Sequence, residues 1–283
     1  MSAEGRTEAE ATARADADEE IREELPSGVS PGEAREGARD ATSWAKNVST
    51  LEVADVPEGA VNINVEGKRL ASPIQGFGKM WQKTYRVRIP GERVSPTDLI
   101  ALWKERFPEF WPEGNRFHAP LTGISPGEVA LINAALPGGM KLSTGVMVLY
   151  ADEESFTLMT PQGHMFAGWI TFSSIAREGD TVAQAQVLMR ASDPIFELGL
   201  ALGGHRQEDR FWEQTLTALA AHYGHEVEVD TQVVCVDRKR QWRRASNVWH
   251  SSAIRSTMYT AGAPLRWLRQ KLGRGSAGGK STA

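Results

Sequence analysis

The clearest pattern in the chain is a series of short segments in which apolar and polar residues alternate. KTYRVRI (83–89) places Tyr85, Val87 and Ile89 on one face, which is typical of a strand with one buried side. The same criterion predicts five further strands, at 128–135, 141–150, 155–160, 164–175 and 181–191. Because the turns between these strands are short, consecutive strands should pair as antiparallel neighbours.

Two segments have helical spacing instead. In SPTDLIALWKERF (95–107), Ser95 can cap the helix and Pro96 occupies its first turn. The segment 194–224 has a wide apolar stripe, made of Phe211, Trp212, Thr215, Leu216, Leu219, Ala220 and Tyr223. Gly203-Gly204 predicts a kink or break near its start, and Gly224 is a natural end.

The pattern divides the chain into four parts. Residues 1–45 have few large apolar side chains, so we expect a disordered acidic tail. Residues 46–80 form a lead-in, in which AVNINVEGKRL (60–70) alternates and predicts a short strand before a loop. Residues 81–225 form the main domain. Residues 226–283 form a basic extension, which begins with a segment that could add one more strand.

The order of strand, helix, five-strand meander and long helix resembles the helix-grip fold of the START / Bet v 1-like superfamily, also called SRPBCC or polyketide cyclase-like. FWPEGNRFHAPLTGISPGEV (110–129) and TPQGHMFAGWITF (160–172) look like a bacterial branch of it. The resemblance implies an α+β fold, in which a curved antiparallel sheet wraps around a long C-terminal helix and leaves an apolar cavity. It implies binding of lipids, hormones or polyketides, with cyclase or oxygenase chemistry in a minority of members.

Composition narrows the class of protein. The chain has 283 residues, of which 41% are hydrophobic, enough for one good core with extensions. Its single cysteine, Cys235, excludes an internal disulfide framework and a CxxC zinc site. No apolar run approaches the ~20 residues of a membrane-spanning helix, and no signal peptide is visible. We therefore expect a soluble cytoplasmic protein, and we predict no cofactor and no metal.

His164 is the first candidate for chemistry. It follows the turn Pro161-Gln162-Gly163 and, by alternation, shares an apolar face with Phe166, Gly168, Ile170 and Phe172. In that position it could bond a ligand oxygen at the rim of a cavity or transfer a proton. The simpler interpretation is a histidine that bonds to the backbone at a strand end, since one unpartnered histidine is not a catalytic constellation.

Other candidates extend this predicted site. Arg116 and His118 lie two residues apart and could meet a ligand carboxylate together, although loop polar groups more often contact water or backbone. The remaining predicted wall or rim residues are Tyr85, Trp169 and Trp212. His205 and Glu208 have the i, i+3 spacing of some metal sites, but a second such pair is missing, so no metal site is predicted.

Charge is distributed unevenly along the chain. Residues 1–40 carry twelve acidic and five basic residues, whereas residues 238–283 carry eleven basic residues and no acidic one. Tryptophans interleave with the arginines of this basic tail, which is typical of contact with anionic lipid or nucleic acid. The residues predicted to contact a membrane or polyanion are Arg240, Trp242, Arg243, Arg244, Arg266, Trp267, Arg269 and Lys271. A tail that folds back on the acidic parts of the chain is the alternative.

The leading hypothesis is therefore non-enzymatic binding of a mostly apolar small molecule or lipid in a cavity between sheet and helix, at an anionic membrane surface. One alternative is a polyketide cyclase-like enzyme with His164 or His118 as the base. The other is a nucleic-acid or protein adaptor that acts through the basic tail.

Overall fold

A computed structural model describes residues 41–91, 94–135 and 141–261. The chain divides into two units, of which the first, Met1–Trp44, contributes only residues 41–44 to the description. The second unit, Ala45–Ala283, holds the fold described below. Residues 1–40 of the disordered tail predicted for residues 1–45 lie outside the described residues. So do the tail candidates Arg266, Trp267, Arg269 and Lys271.

The second unit is built on one curved antiparallel sheet of eight strands. In chain order they are β1 Met80–Ile89, β2 Arg116–His118, β3 Val129–Ala135, β4 Lys141–Ala151, β5 Ser155–Met159, β6 Phe166–Arg177, β7 Asp180–Ala191 and β8 Asp230–Asp237. Their order in space is β2-β3-β4-β5-β6-β7-β1-β8. The meander from β3 to β7 matches the five consecutive strands that the alternation predicts. Beside β7 lie β1, which the alternation also predicts, and β8, which falls in the segment that could add one more strand. The edge strand β2 is the one strand among the described residues that the sequence did not predict.

Helices cover one face of this sheet. They are α1 Pro96–Arg106, α2 Pro194–Gly199 and α3 His205–His222. A further helix, α4 Ser252–Ala261, packs with the lead-in segment instead, where Oγ of Ser256 accepts the side-chain amide of Asn64 at 3.0 Å. The Ser95 side chain accepts the backbone N–H of Asp98 and caps α1, as its position before Pro96 predicts. The predicted break is also present, because Leu202 and Gly203 leave helical geometry and Gly203 has a φ of 118°. The α+β helix-grip fold predicted from the sequence is thereby confirmed.

The space between the sheet and its helices is filled by aromatic rings. Phe172 stacks on Phe156 with 4.7 Å between ring centroids, and Trp103 and Phe107 contact both of them. From α3, Trp212 lies 5.5 Å from the Phe172 ring. These contacts belong to one continuous core, whose other members come from β1, β3, β4, β6, β7 and α3. The interior of the grip is a packed core at this level of the sheet.

The lead-in segment packs against the opposite face of the sheet. Leu51 and Val65 are buried there against Leu131 and Met147. The strand predicted for Val61, Ile63 and Val65 is wrong, since residues 63–67 form turns in which the Asn62 carbonyl accepts the N–H groups of Val65 and Glu66. Alternation alone does not make a strand here, because only Val65 of the alternating apolar residues is buried and the segment pairs with no neighbouring strand.

The start of the basic extension is docked on the sheet. β8 pairs with β1 over residues 230–237. The buried Arg190 side chain of β7 donates to the carbonyls of Gly78 (2.6 Å) and Lys239 (2.9 Å) and forms an ion pair with Asp237. A 3-10 helix, Trp242–His250, follows and leads into α4. The described part of this extension is therefore held by specific contacts with the domain.

Candidate functional site

A buried cluster of charged side chains joins β1 to the first turn of α3. The Nζ of Lys83, on β1, lies 2.6 Å from Oε2 of Glu208 and 2.7 Å from Oδ1 of Asp209. The Lys83 side chain is fully buried, and Glu208 is nearly so. A buried ammonium requires such partners, because its desolvation is otherwise prohibitive.

Tyr85 completes this cluster from the next inward position of β1. Its hydroxyl donates to Oδ1 of Asp209 at 2.7 Å. Burial, followed by the nearby carboxylate charges, raises the pKa of Tyr85 far above its usual value, so that the phenol stays protonated. Asp209 keeps a partly exposed side chain and is the point at which solvent reaches the cluster.

Two buried polar atoms at this cluster have no hydrogen-bond partner among the described residues. They are Oε1 of Glu208 and Nδ1 of His205, which lie three positions apart on one face of α3. Burial raises the pKa of Glu208 to about 7 and outweighs the opposing effect of Lys83. Burial, then the charge of Lys83, lowers the pKa of His205 to about 4. Buried polar atoms without a hydrogen-bond partner are unusual in a folded protein.

The break between α2 and α3 lies directly before this cluster in the chain. Leu198 is 60% exposed and Leu202 is 78% exposed, so the segment presents apolar side chains to solvent. The Trp81 ring, from β1, packs edge-on against His205 with 4.8 Å between centroids. The cluster is thus bordered by an irregular helical segment and a partly buried aromatic ring.

The structure brings only two of the predicted ligand residues to this face of the sheet. Tyr85 belongs to the cluster, and Trp212 lies on α3 among the aromatic rings of the core. Trp169 alternates with the buried Gly168 and Ile170 along β6 and so lies on the opposite face of the sheet. Trp169 therefore cannot line the space between the sheet and α3, and it is not a wall residue of a cavity there.

His164 is placed by the structure in a turn before β6. Its Nδ1 accepts the backbone N–H of Phe166 at 3.0 Å, and the side chain is buried. Burial lowers the pKa of His164 to about 4, so the ring is neutral at ordinary pH. This agrees with the backbone-bonding interpretation of the sequence, and the structure offers His164 no partner for proton transfer among the described residues.

Arg116 and His118 lie on the short edge strand β2, with the buried Phe117 between them. Nε2 of His118 is 3.3 Å from the side-chain amide of Asn133, and Arg116 is exposed. Because Phe117 belongs to the core, its two neighbours point to the opposite side of the sheet. They share a face of the sheet with each other, but not with Tyr85 or Trp212.

The described candidates of the basic tail have different environments. Arg240 pairs with Glu197 at 2.8 Å, and Trp242 packs edge-on against Phe77 at 5.3 Å while remaining 73% exposed. Arg243 is exposed, whereas Arg244 is half-buried beside a small cavity. The tail is therefore partly neutralised by the domain and partly available to a partner.

Lys83, Glu208 and Asp209 were not among the residues predicted for the site. The signal for Lys83 is its position two residues before Tyr85, which places it on the buried face of β1. A lysine at an inward position means either that the strand is assigned in the wrong register or that a buried acidic partner pairs with the lysine. The partners, on α3, could not be chosen from the many acidic residues of the chain without the fold.

Within the described ranges, no group of three His, Cys, Asp or Glu side chains is arranged to hold a metal ion. Over the same residues, no helix is long and apolar enough to cross a membrane.

Comparison with known proteins gives similarity at the level of structures only. No family model matches the sequence, and no curated protein matches it. Among solved structures, a START superfamily protein from Mycobacterium smegmatis is similar with 19% identity and a TM-score of 0.35, over 51% of this chain and 97% of that chain. The di-domain ARO/CYC StfQ from the steffimycin biosynthetic pathway has 12% identity and a TM-score of 0.41, over 52% and 53%.

A third similar structure is the ginseng major latex-like protein 151 from Panax ginseng. It has 13% identity and a TM-score of 0.34, over 51% of this chain and 98% of that chain. All three comparisons span about half of the present chain.

Proposed function

We propose that the protein binds, without chemical conversion, a mostly apolar small molecule that carries one polar group. The polar group would be held at the cluster of Lys83, Tyr85, Glu208 and Asp209. The observation that supports this is the unpaired state of Oε1 of Glu208 and Nδ1 of His205. Buried polar atoms cost free energy unless they are bonded, and a ligand hydroxyl or amide could satisfy both.

The proposed site lies at one end of the space between the sheet and its helices, whereas the sequence predicted a cavity at the centre of that space. The centre is occupied by the rings of Trp103, Phe107, Phe156 and Phe172, which leave the sheet–helix space packed. A ligand at the cluster would need no displacement of that core. Its apolar part would lie along the break before α3, where Leu198 and Leu202 are exposed. Apolar surroundings with a few convergent polar groups are typical of small-molecule sites.

The test is native mass spectrometry of the full chain purified from its own host. We expect a co-purifying small molecule with the natural sequence, and a lower occupancy in Glu208→Gln. Glu208→Gln keeps the size of the side chain but replaces one acceptor oxygen with a donor. Glu213→Gln is the matched control, because Glu213 lies on the same helix and accepts from Thr231 instead. Equal occupancy in Glu208→Gln and the natural protein, or no ligand in either, would refute the proposal.

A general acid–base reaction at the same cluster is the second candidate. It is favoured by one observation, the pKa of Glu208 near neutrality beside a lysine, since catalytic groups work best with a pKa near the working pH. In this second candidate Glu208, rather than His164 or His118, would act as the acid or base, because neither histidine lies at the cluster. Conversion of the bound molecule by the natural protein but not by Glu208→Gln would establish it.

A further inference from the structure

A second site lies on the other face of the sheet. A cavity of about 60 Å³ is enclosed by the lead-in segment, the turn before β6 and the 3-10 helix Trp242–His250. Its lining consists of Arg69, Leu70, Ala71, Gln75, Gln162, Gly163, Ala167, Ser192, Arg244 and Asn247. A single water needs roughly 10–15 Å³ of such space, so a group of several heavy atoms fits.

Arg244 provides an unused donor at this cavity. Nε of Arg244 is buried and has no hydrogen-bond partner among the described residues. The Asn247 amide, in contrast, is bonded to the carbonyls of Gln75 (2.9 Å) and Ser192 (2.8 Å). Arg69 lines the same cavity, and neither arginine forms a salt bridge with a carboxylate of the described chain. A buried guanidinium nitrogen without an acceptor requires an explanation.

Further basic residues lie near the residues that line the cavity. Arg255 donates to the carbonyl of Ile63 at 2.7 Å and lies close enough to Lys68 to lower its pKa, after burial as the larger cause. Burial, then the charges of Lys68, Arg255 and Arg69, lowers the pKa of His250. The sequence from 238 to 261 carries six basic residues and no acidic one. This concentration of positive charge would be relieved by a bound anion.

We propose that this cavity binds a phosphate group, held between the guanidinium groups of Arg69 and Arg244. The planar fork of arginine matches the oxygens of phosphate, and charge-assisted bonds of this kind are about twice as strong as neutral ones. The group could belong to a free phosphate compound or to a phospholipid head group. The exposed rings of Trp242 and Trp249 on the same 3-10 helix are compatible with the second source.

The first arm of the test is calorimetric titration of the full chain with inorganic phosphate at low ionic strength, with chloride as the blank. Arg244→Gln should weaken binding by about tenfold or more, because it removes a charge-assisted contact. Arg243→Gln is the matched control, since it changes the same charge at the next position but lies exposed and off the cavity. It should change binding by less than about twofold.

The second arm is sedimentation with vesicles of phosphatidylcholine, with and without phosphatidic acid. If the protein binds the vesicles, and Arg244→Gln loses this binding while Arg243→Gln keeps it, the bound phosphate group belongs to a lipid. If the protein binds inorganic phosphate but not vesicles, and Arg244→Gln alone weakens the phosphate binding, the group belongs to a free compound. If Arg244→Gln does not fold, Arg69→Gln decides, because Arg69 is exposed enough to be replaced safely. Equal weakening by Arg243→Gln and Arg244→Gln, or no binding in either arm, would overturn the site.

Discussion

In the folded chain Nζ of Lys83 lies 2.6 Å from Oε2 of Glu208, across the space between β1 and α3. The two residues are 125 positions apart, so this ion pair exists only when the sheet and the last long helix are assembled. Asp209 adds a second carboxylate at 2.7 Å. The sheet and the helix are therefore joined by a charged contact at one end and by aromatic packing along the rest.

Replacement of Lys83 should destabilise the protein strongly. Lys83→Met leaves Glu208 buried without its cation, and removal of one partner of a buried pair typically costs about 3–5 kcal/mol. We expect a loss of this size in the free energy of unfolding, measured with urea at pH 7.5. The double variant Lys83→Met/Glu208→Met should lose less, because no buried charge remains unpaired on that side.

Arg86→Met is the control for this prediction. Arg86 lies on the opposite face of the same strand, donates to Oε1 of Gln184 at 2.7 Å and makes a long ion pair with Asp230 at 3.6 Å. Its replacement should cost about 1 kcal/mol, well below the loss at Lys83. Similar losses for Lys83→Met and Arg86→Met would show that the buried cluster has no special weight in the stability of the fold.

His164 should make stability depend on pH. Its pKa in the folded chain is about 4, against roughly 6.5 for an unperturbed histidine. The unfolded chain therefore binds the proton more readily, so this contribution is complete above about pH 6.5 and is lost as the pH falls towards 4. The stability difference between the natural protein and His164→Gln should shrink by about 1–3 kcal/mol over that interval. Urea denaturation at several pH values measures it.

A stability profile for His164→Gln that runs parallel to that of the natural protein between pH 4 and 7 would contradict the assignment of a buried neutral ring.

Truncation of Phe172 should open the interior of the grip. Its ring is fully buried and contacts those of Trp103, Phe107, Phe156 and Trp212. Phe172→Ala should cost about 3–5 kcal/mol and leave a cavity that benzene can fill, with a rise in melting temperature on its addition. Ile175→Ala, at an exposed site on the same strand, should cost less than about 0.5 kcal/mol and show no benzene effect. A benzene effect in the natural protein would mean that the interior is already open.

Two glycines should respond to alanine in opposite directions. A Cβ at Gly168 would lie 2.1 Å from the carbonyl oxygen of Leu188 on β7, so Gly168→Ala must push the strands apart and should cost more than about 1 kcal/mol. Gly199 lies in helical geometry with nothing within 4 Å of such an atom, so Gly199→Ala should stabilise by about 0.5–1 kcal/mol. Thermal unfolding of both variants tests the pair, and a destabilised Gly199→Ala would contradict the geometry of this segment.

The sequence was sufficient for most of the fold, because local rules and tertiary packing agree there. Ser95 and Pro96 mark the start of α1, and the paired glycines 203–204 mark the break before α3. The rules failed where a segment has no partner strand, as at 60–70, or where a strand is too short for a pattern, as in Arg116–His118. Three residues cannot display a period of two convincingly.

The candidate site was harder to predict than the fold. Alternation assigns charged residues to solvent, whereas the spacing of Lys83 from Tyr85 places its side chain on the buried face of β1. Its carboxylate partners are defined only by the way α3 crosses β1. The histidines, which attract attention as candidates for chemistry, are used here for backbone bonding in the case of His164 and lie on the far face in the case of His118.

The place of β1 in the sheet has a consequence for the order of synthesis. This strand, made early, lies between β7 and β8, whose residues follow long after Ile89 in the chain. At ordinary rates of translation, β7 begins to appear roughly 5–20 s later. Until then β1 has no neighbour on either edge, and its inward face, with Lys83 and Tyr85, is open to water and to other chains. β1, the next-to-last strand of the finished sheet, therefore stays unpaired while the five strands of the meander are made, and the nascent chain is most vulnerable to wrong association during that interval.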